Sequence, residues 1–143
     1  MSEVVDFRVE VFEVLKYLQD VYHKSLSEAD ARTYLDYLVE INPVQLRMAA
    51  VRCMESSAFF PRIAELRKLS ESVEIKPISD FGARRAELVA RYHQSGKLDN
   101  MAFDALFREM WRAGYWDAAN YLRVIQDRLR ELAKVRKEEL VVV

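Results

Sequence analysis

The stretch Asn100-Met101-Ala102-Phe103-Asp104-Ala105-Leu106-Phe107-Arg108-Glu109-Met110-Trp111-Arg112-Ala113-Gly114 decides the fold class. Phe103, Leu106, Phe107, Met110 and Trp111 fall at i, i+3, i+4, i+7 and i+8, the spacing that gathers apolar side chains on one face of an α-helix. Asp99 or Asn100 can cap its start, and Gly114 can end it in the left-handed conformation. Downstream, a longer helix opens near Trp116-Asp117 and carries Ala118, Leu122, Ile125, Leu129 and Leu132 at alternating steps of four and three. Such a seam packs lengthwise against a neighbour. Upstream, Phe81, Leu88 and Tyr92 mark another helix, which Gly96 can terminate.

The first 72 residues read as a four-helix unit. Phe7, Val11, Val14, Leu18 and Tyr22 line one face of a first helix over residues 6–23. Ser27 caps a second, with Leu26 positioned to staple on Ala31 and Tyr34, Leu35, Leu38 and Ile41 facing inward. Asn42-Pro43-Val44-Gln45 restarts the chain as a third helix: Asn caps, proline suits the first helical position, and Gln45 can return a bond to the cap. That helix buries Leu46, Ala50, Cys53 and Met54 and ends near Ser56-Ser57. Pro61 is expected at the first position of a fourth helix holding Ile63, Leu66 and Leu69. Residues 73–80 mix β-branched residues with a proline and lose helical periodicity, so they are expected to form an extended connector. The expected organisation is all-α: a four-helix unit over 1–72, a connector over 73–80, and about three further helices over 81–143, the last residues from Arg136 forming a tail.

Composition supports this reading. Only three glycines and three prolines occur in 143 residues, and 51% of the side chains are apolar, enough for a core without staples. The single cysteine, Cys53, cannot form an intramolecular disulfide, and no leader-type or bilayer-length apolar run is present. The expected setting is a reducing cytoplasm. With 22 basic and 23 acidic side chains the net charge is −1, so there is no bulk basic field for nucleic acid. Up to Ser72 the chain has 9 basic against 12 acidic residues, and after it 13 against 11, too mild an asymmetry to select a partner.

The three glycines stand alone, so neither a phosphate-cradling loop nor a dinucleotide fingerprint can be written, and no cofactor is expected. His23, Cys53 and His93 are isolated, which disfavours a metal site. Cys53 sits among apolar helix positions, where a buried inert thiol is commoner than a nucleophile, and both histidines lie near helix ends. The aromatic set Phe103, Phe107, Trp111, Tyr115 and Trp116 has helical spacing, which more often fills a core than stacks bases. The basic run from Arg123 to Lys137 is interleaved with Asp127, Glu131 and other acids, as a solvated helix face would be. The chain is therefore expected not to be an enzyme.

One segment resembles a known family. Ser57-Ala58-Phe59-Phe60-Pro61-Arg62-Ile63-Ala64-Glu65-Leu66 is similar to the hallmark of the bacteriophage replicative-helicase loader and inhibitor proteins, a Phe-Pro-Pro-Thr-Ile-Ala-Glu type turn into the last helix of their helical domain. Phe59, Pro61, Ile63, Ala64 and Glu65 match, while Phe60 and Arg62 stand in place of proline and threonine. Tyr22, the Tyr34 and Leu38 pair, and Ala50-Val51 also fall where that family has similar residues. The resemblance covers about half the chain. It implies a non-enzymatic replication adaptor that holds a replicative helicase hexamer, loads or restrains it, and delivers it to an origin-bound organiser protein.

In that family the helicase contact lies toward the C-terminus. Trp111, Tyr115, Trp116 and Arg123, of the residue types that dominate interface hot spots, are the expected partner-binding residues. The competing reading is a small helical DNA-binding regulator presenting Arg84, Arg85, Arg91, Arg123 and Arg130 to phosphates. A third is a structural or anti-host protein using the same helical surfaces.

Overall fold

The computed structural model describes residues 6–141, with the side chains of 137–141 left out of account. Among them are seven α-helices and no strand: α1 (Arg8–Tyr22), α2 (Glu28–Leu38), α3 (Pro43–Ser56), α4 (Ile63–Ser72), α5 (Ile78–Ser95), α6 (Asn100–Arg112) and α7 (Trp116–Val141). The chain divides into two compact units. The first comprises residues up to Ile75 together with Arg112–Gly114; the second comprises Lys76–Trp111 and the residues from Tyr115 onward.

Local chemistry sets the helix boundaries of the first unit. The Ser27 hydroxyl accepts from the Asp30 N–H at 3.0 Å, and the Asn42 side chain accepts from Val44 at 2.9 Å with Pro43 following at the first helical position. Gln45 does not return to the cap; its side-chain amide donates 3.2 Å to the Val73 carbonyl instead, and so ties down the chain leaving α4. Pro61 does not open α4, because Arg62 takes the N-cap position in extended backbone. Pro61 is buried ahead of the helix, where its carbonyl accepts from the Tyr34 hydroxyl at 2.8 Å.

α3 lies at the centre, packed by α1 and α4. Leu46, Met48, Ala49, Ala50, Val51 and Cys53 are all buried along it, facing Val11, Val14, Leu15 and Leu18 of α1, Leu38 of α2 and Leu66 of α4 in the core. Met54, expected inside, is only half-buried, while Met48, Ala49 and Val51 turn inward. Central placement explains the difference: a helix covered on several sides buries more than one stripe.

In the second unit α5 begins at Ile78, not at Phe81, with Pro77 as N-cap, so only residues 73–77 of the expected connector lack helix, and Val73 is itself buried. The Asp99 carboxylate accepts from Ala102 at 3.0 Å and starts α6. Phe81, Leu88 and Tyr92 of α5, Phe103, Leu106 and Met110 of α6, and Trp116, Ala119, Leu122 and Leu129 of α7 are buried. α7 continues to Val141, so the expected tail from Arg136 is helical as far as that residue, and the rest of it lies outside the described residues.

Gly96 and Gly114 both adopt the left-handed conformation, with φ of 71° and 84°. A Cβ at Gly96 would meet only the far end of the Arg136 side chain at 3.6 Å, whereas one at Gly114 would stand 2.3 Å from the Val44 carbonyl oxygen. Both positions carry the left-handed cost of about 1–2 kcal/mol for a non-glycine residue. Only Gly114 adds a backbone collision. Gly96→Ala is expected to lower stability by about 1 kcal/mol and Gly114→Ala by about 3 kcal/mol or more in urea unfolding. Equal losses at the two positions would show that the close approach at Gly114 carries no weight.

Candidate functional site

The segment joining α3 to α4 is built to hold one aromatic ring and to display another. The Tyr22 hydroxyl lies 3.0 Å from the carbonyl oxygens of both Cys53 and Ser57, between which its proton is shared, at the end of α3. Phe60 places its ring edge-on to Tyr22 and Tyr34, with centroids 5.8 and 5.9 Å apart, and the Lys24 ammonium lies 5.3 Å from the Phe60 centroid. Its neighbour Phe59 donates its N–H to the Ser57 hydroxyl at 3.2 Å and leaves its side chain 82% exposed. Of the two rings, only Phe60 covers the end of the core. The two consecutive rings are thus divided, Phe60 against the tyrosines and Phe59 in water.

The second unit carries a stacked column. Trp111 lies nearly parallel to Trp116, with centroids 4.5 Å apart and planes 5° from parallel, and Phe107 stacks on Trp111 at 5.8 Å. The Arg123 guanidinium covers the Phe107 ring at 4.1 Å. Beside the column runs a polar seam between α6 and α7. Gln126, only 1% exposed, accepts from Arg123 at 2.9 Å and donates to Asn100 and Asp104 at 3.1 and 3.3 Å. Arg123 also donates to the Asp104 carboxylate, and Arg130 donates 3.0 Å to Asn100. Hydrogen bonds from Arg123 and Gln126 hold the Asp104 carboxyl below its ordinary value.

The four residues expected to bind a partner fare differently. Trp116 is 2% exposed, with its indole N–H donating 3.1 Å to the Trp111 carbonyl, so it belongs to the core. Tyr115 is half-buried, donates its hydroxyl to the Lys76 carbonyl and meets Phe81 edge-on, a structural role. Arg123 is occupied by Asp104, Gln126 and Phe107. Trp111 keeps a partly open face and, with Phe107, forms the accessible side of the column. More exposed are residues not expected as partner contacts, among them Phe59, and Tyr121, Val124, Leu132 and Val135 on the outside of α7. Leu132, expected in the inward seam, stands outside it. A signal for the α7 set existed, since that helix carries a second run of apolar residues alongside its inward one.

Cys53 is buried, and desolvation, followed by the Glu65 charge, pushes its thiol up to about 11. Among the described residues no cluster of three or more metal-ligating side chains occurs, and no helix is long and apolar enough to cross a membrane. Comparisons of the chain with protein-family models, with curated proteins and with solved structures return no match.

Two outcomes follow from these environments. Cys53 is expected to resist alkylation by iodoacetamide at neutral pH in the folded chain and to react once urea unfolds it; rapid native labelling would contradict its protonated, buried state. Because folding depresses the Asp104 carboxyl, its contribution to stability is complete above the unfolded value of about 4 and fades as pH falls through the lower folded value. Acid unfolding of Asp104→Asn is therefore expected to lose part of the pH dependence shown by the parent between about pH 5 and pH 2. Superimposable profiles would remove the role assigned to the Arg123 and Gln126 bonds.

Proposed function

We infer that this protein is a non-enzymatic adaptor that works by holding other proteins, and that its partner is a replicative helicase hexamer. The observation that carries the reading is Phe59: a large aromatic side chain, 82% exposed, on a backbone fixed from both sides. Nothing in the fold of the first unit uses that ring. Presenting it pre-organised lowers the ordering cost of a contact, and aromatic anchors of this kind supply most of an interface's affinity. The helicase as partner rests on the resemblance of residues 57–66 to the loader and inhibitor proteins, within which Phe59 falls.

The arginine pattern favours protein over DNA as the partner. Of the five arginines that a DNA-binding reading would turn to phosphates, Arg84 pairs with Glu109, Arg91 with Asp99, Arg123 with Asp104 and Arg130 with Asp127, while Arg85 lies over the Tyr121 ring at 5.3 Å. Guanidinium groups balanced in this way leave little net positive field for a phosphate backbone.

The test is binding of the full chain to the replicative helicase of the same phage or host, at low and at elevated salt. Phe59→Ala, with unchanged helical content, is expected to weaken binding by a factor of about 10 or more, corresponding to a hot-spot loss near 2 kcal/mol. Raising the salt is expected to have little effect on the parent, since the contact is apolar. If Trp111→Ala weakens binding and Phe59→Ala does not, the contact belongs to the second unit. Absence of binding by the parent chain would remove the helicase from the reading.

A further inference from the structure

α7 has two faces. The inward one buries Trp116, Ala119, Leu122, Gln126 and Leu129. The outward one carries Tyr121, Val124, Arg128, Glu131 and Val135, at steps of three, four, three and four, with Leu132 beside them. This is the a/d register of a coiled coil, repeated on the side of the helix opposite the buried one, where its own unit reaches only Tyr121, through Arg85. Tyr121, Val124, Leu132 and Val135 are each between 48% and 55% exposed, far more than an inward seam leaves. Over residues 121–135 the stripe is about 21 Å long.

We propose that the outward face of α7 pairs with the same face of a second copy of this chain, the two helices running antiparallel about a two-fold axis between positions 129 and 130. Two charged residues in the stripe select both the occupant and the direction. In an antiparallel pair with that axis, position 128 of one chain faces position 131 of the other, and 124 faces 135. Arg128 then meets Glu131 of the second copy twice over, and Val124 meets Val135 twice over. A parallel pair would instead set Arg128 against Arg128 and Glu131 against Glu131, which like-charge repulsion disfavours. An isologous interface needs a patch complementary to itself under a two-fold rotation, and this stripe is one.

Neither charge is held by a strong bond among the described residues. Arg128 makes no hydrogen bond or ion pair among the described residues. Among the described residues Glu131 pairs with Lys134 alone, at 3.5 Å, an exposed i,i+3 pair of the kind that contributes little. By contrast, Arg123 is held by Asp104, and Arg130 by Asp127 and Asn100. Two open charges of opposite sign, three residues apart on an apolar stripe, are what reciprocal pairing across a two-fold axis requires.

The stripe is short, which places the contact at the small end of specific interfaces, so association is expected to be concentration-dependent and appreciable at about 0.1 mM. Sedimentation equilibrium on the full chain reads it directly. The parent is expected to be a monomer–dimer mixture. Arg128→Glu and Glu131→Arg, both at exposed positions, are expected to remain helical and to shift the dissociation constant upward by a factor of about 10 or more. The double variant R128E/E131R restores the reciprocal pairs and is expected to dimerise like the parent, and so is an equimolar mixture of the two single variants. A parent that stays monomeric at about ten times that concentration overturns the proposal. So do single variants that dimerise unchanged, or a double variant that fails to recover. None of these readings involves a helicase, so the fate of the adaptor reading leaves this one standing or falling by itself.

Discussion

The first unit depends on how closely α1 and α4 can approach α3. Ala49, Ala50 and Cys53 contribute small side chains to α3, and Leu46, Met48 and Val51 larger ones, all of them buried. Interiors at this density accept extra methylene groups at a cost of about 1–3 kcal/mol each, so the small residues are as constraining as the large ones. Once α3 is seated, the tyrosines follow from it. Tyr22 reaches the last carbonyls of α3, Tyr34 reaches Pro61, and between them they hold the Phe60 ring. The exposed Phe59 ring stands directly beside this packed cluster.

The second unit solves a different problem. Its α6 and α7 meet through a polar seam as well as an apolar one, and Gln126 at 1% exposure has every polar atom of its amide engaged. A buried amide contributes little net stability, but leaving it unpaired costs about 1–3 kcal/mol, so the arrangement penalises any slip of one helix along the other. That register also fixes which residues of α7 face outward. The stacked column of Phe107, Trp111 and Trp116 adds area and rigidity beside it, with Arg123 serving both the seam and the column. Side chains with two such roles inside the fold are poor candidates for a partner contact, since recruiting them would break bonds already made.

Helix boundaries were largely legible in the residue order because they are set locally. Ser27, Asn42 and Asp99 cap with their own side chains, and Gly96 and Gly114 turn where a left-handed residue is needed. Where the reading failed, a distant group had intervened. Gln45 left its cap for the Val73 carbonyl, and Pro61 was held ahead of α4 with its carbonyl bonded to Tyr34. Ile78 began α5 three residues before Phe81, where periodicity alone gives no warning because the first turn of a helix carries few inward side chains.

The division is sharpest at the surface. By itself the sequence determined that the chain is helical, where most helices start and stop, and which faces are apolar, because spacing and capping act within a few residues. Only tertiary structure decided which aromatics are used up inside. Trp116 and Tyr115 share the composition of a hot spot with Phe59 and Trp111, yet the first pair is consumed by stacking and hydrogen bonds to residues on other turns and helices. The same holds for α7, whose two apolar stripes look alike in one dimension. Which of them is left for another molecule depends on Gln126, Leu122 and Leu129 turning toward α6, a choice made by packing in three dimensions.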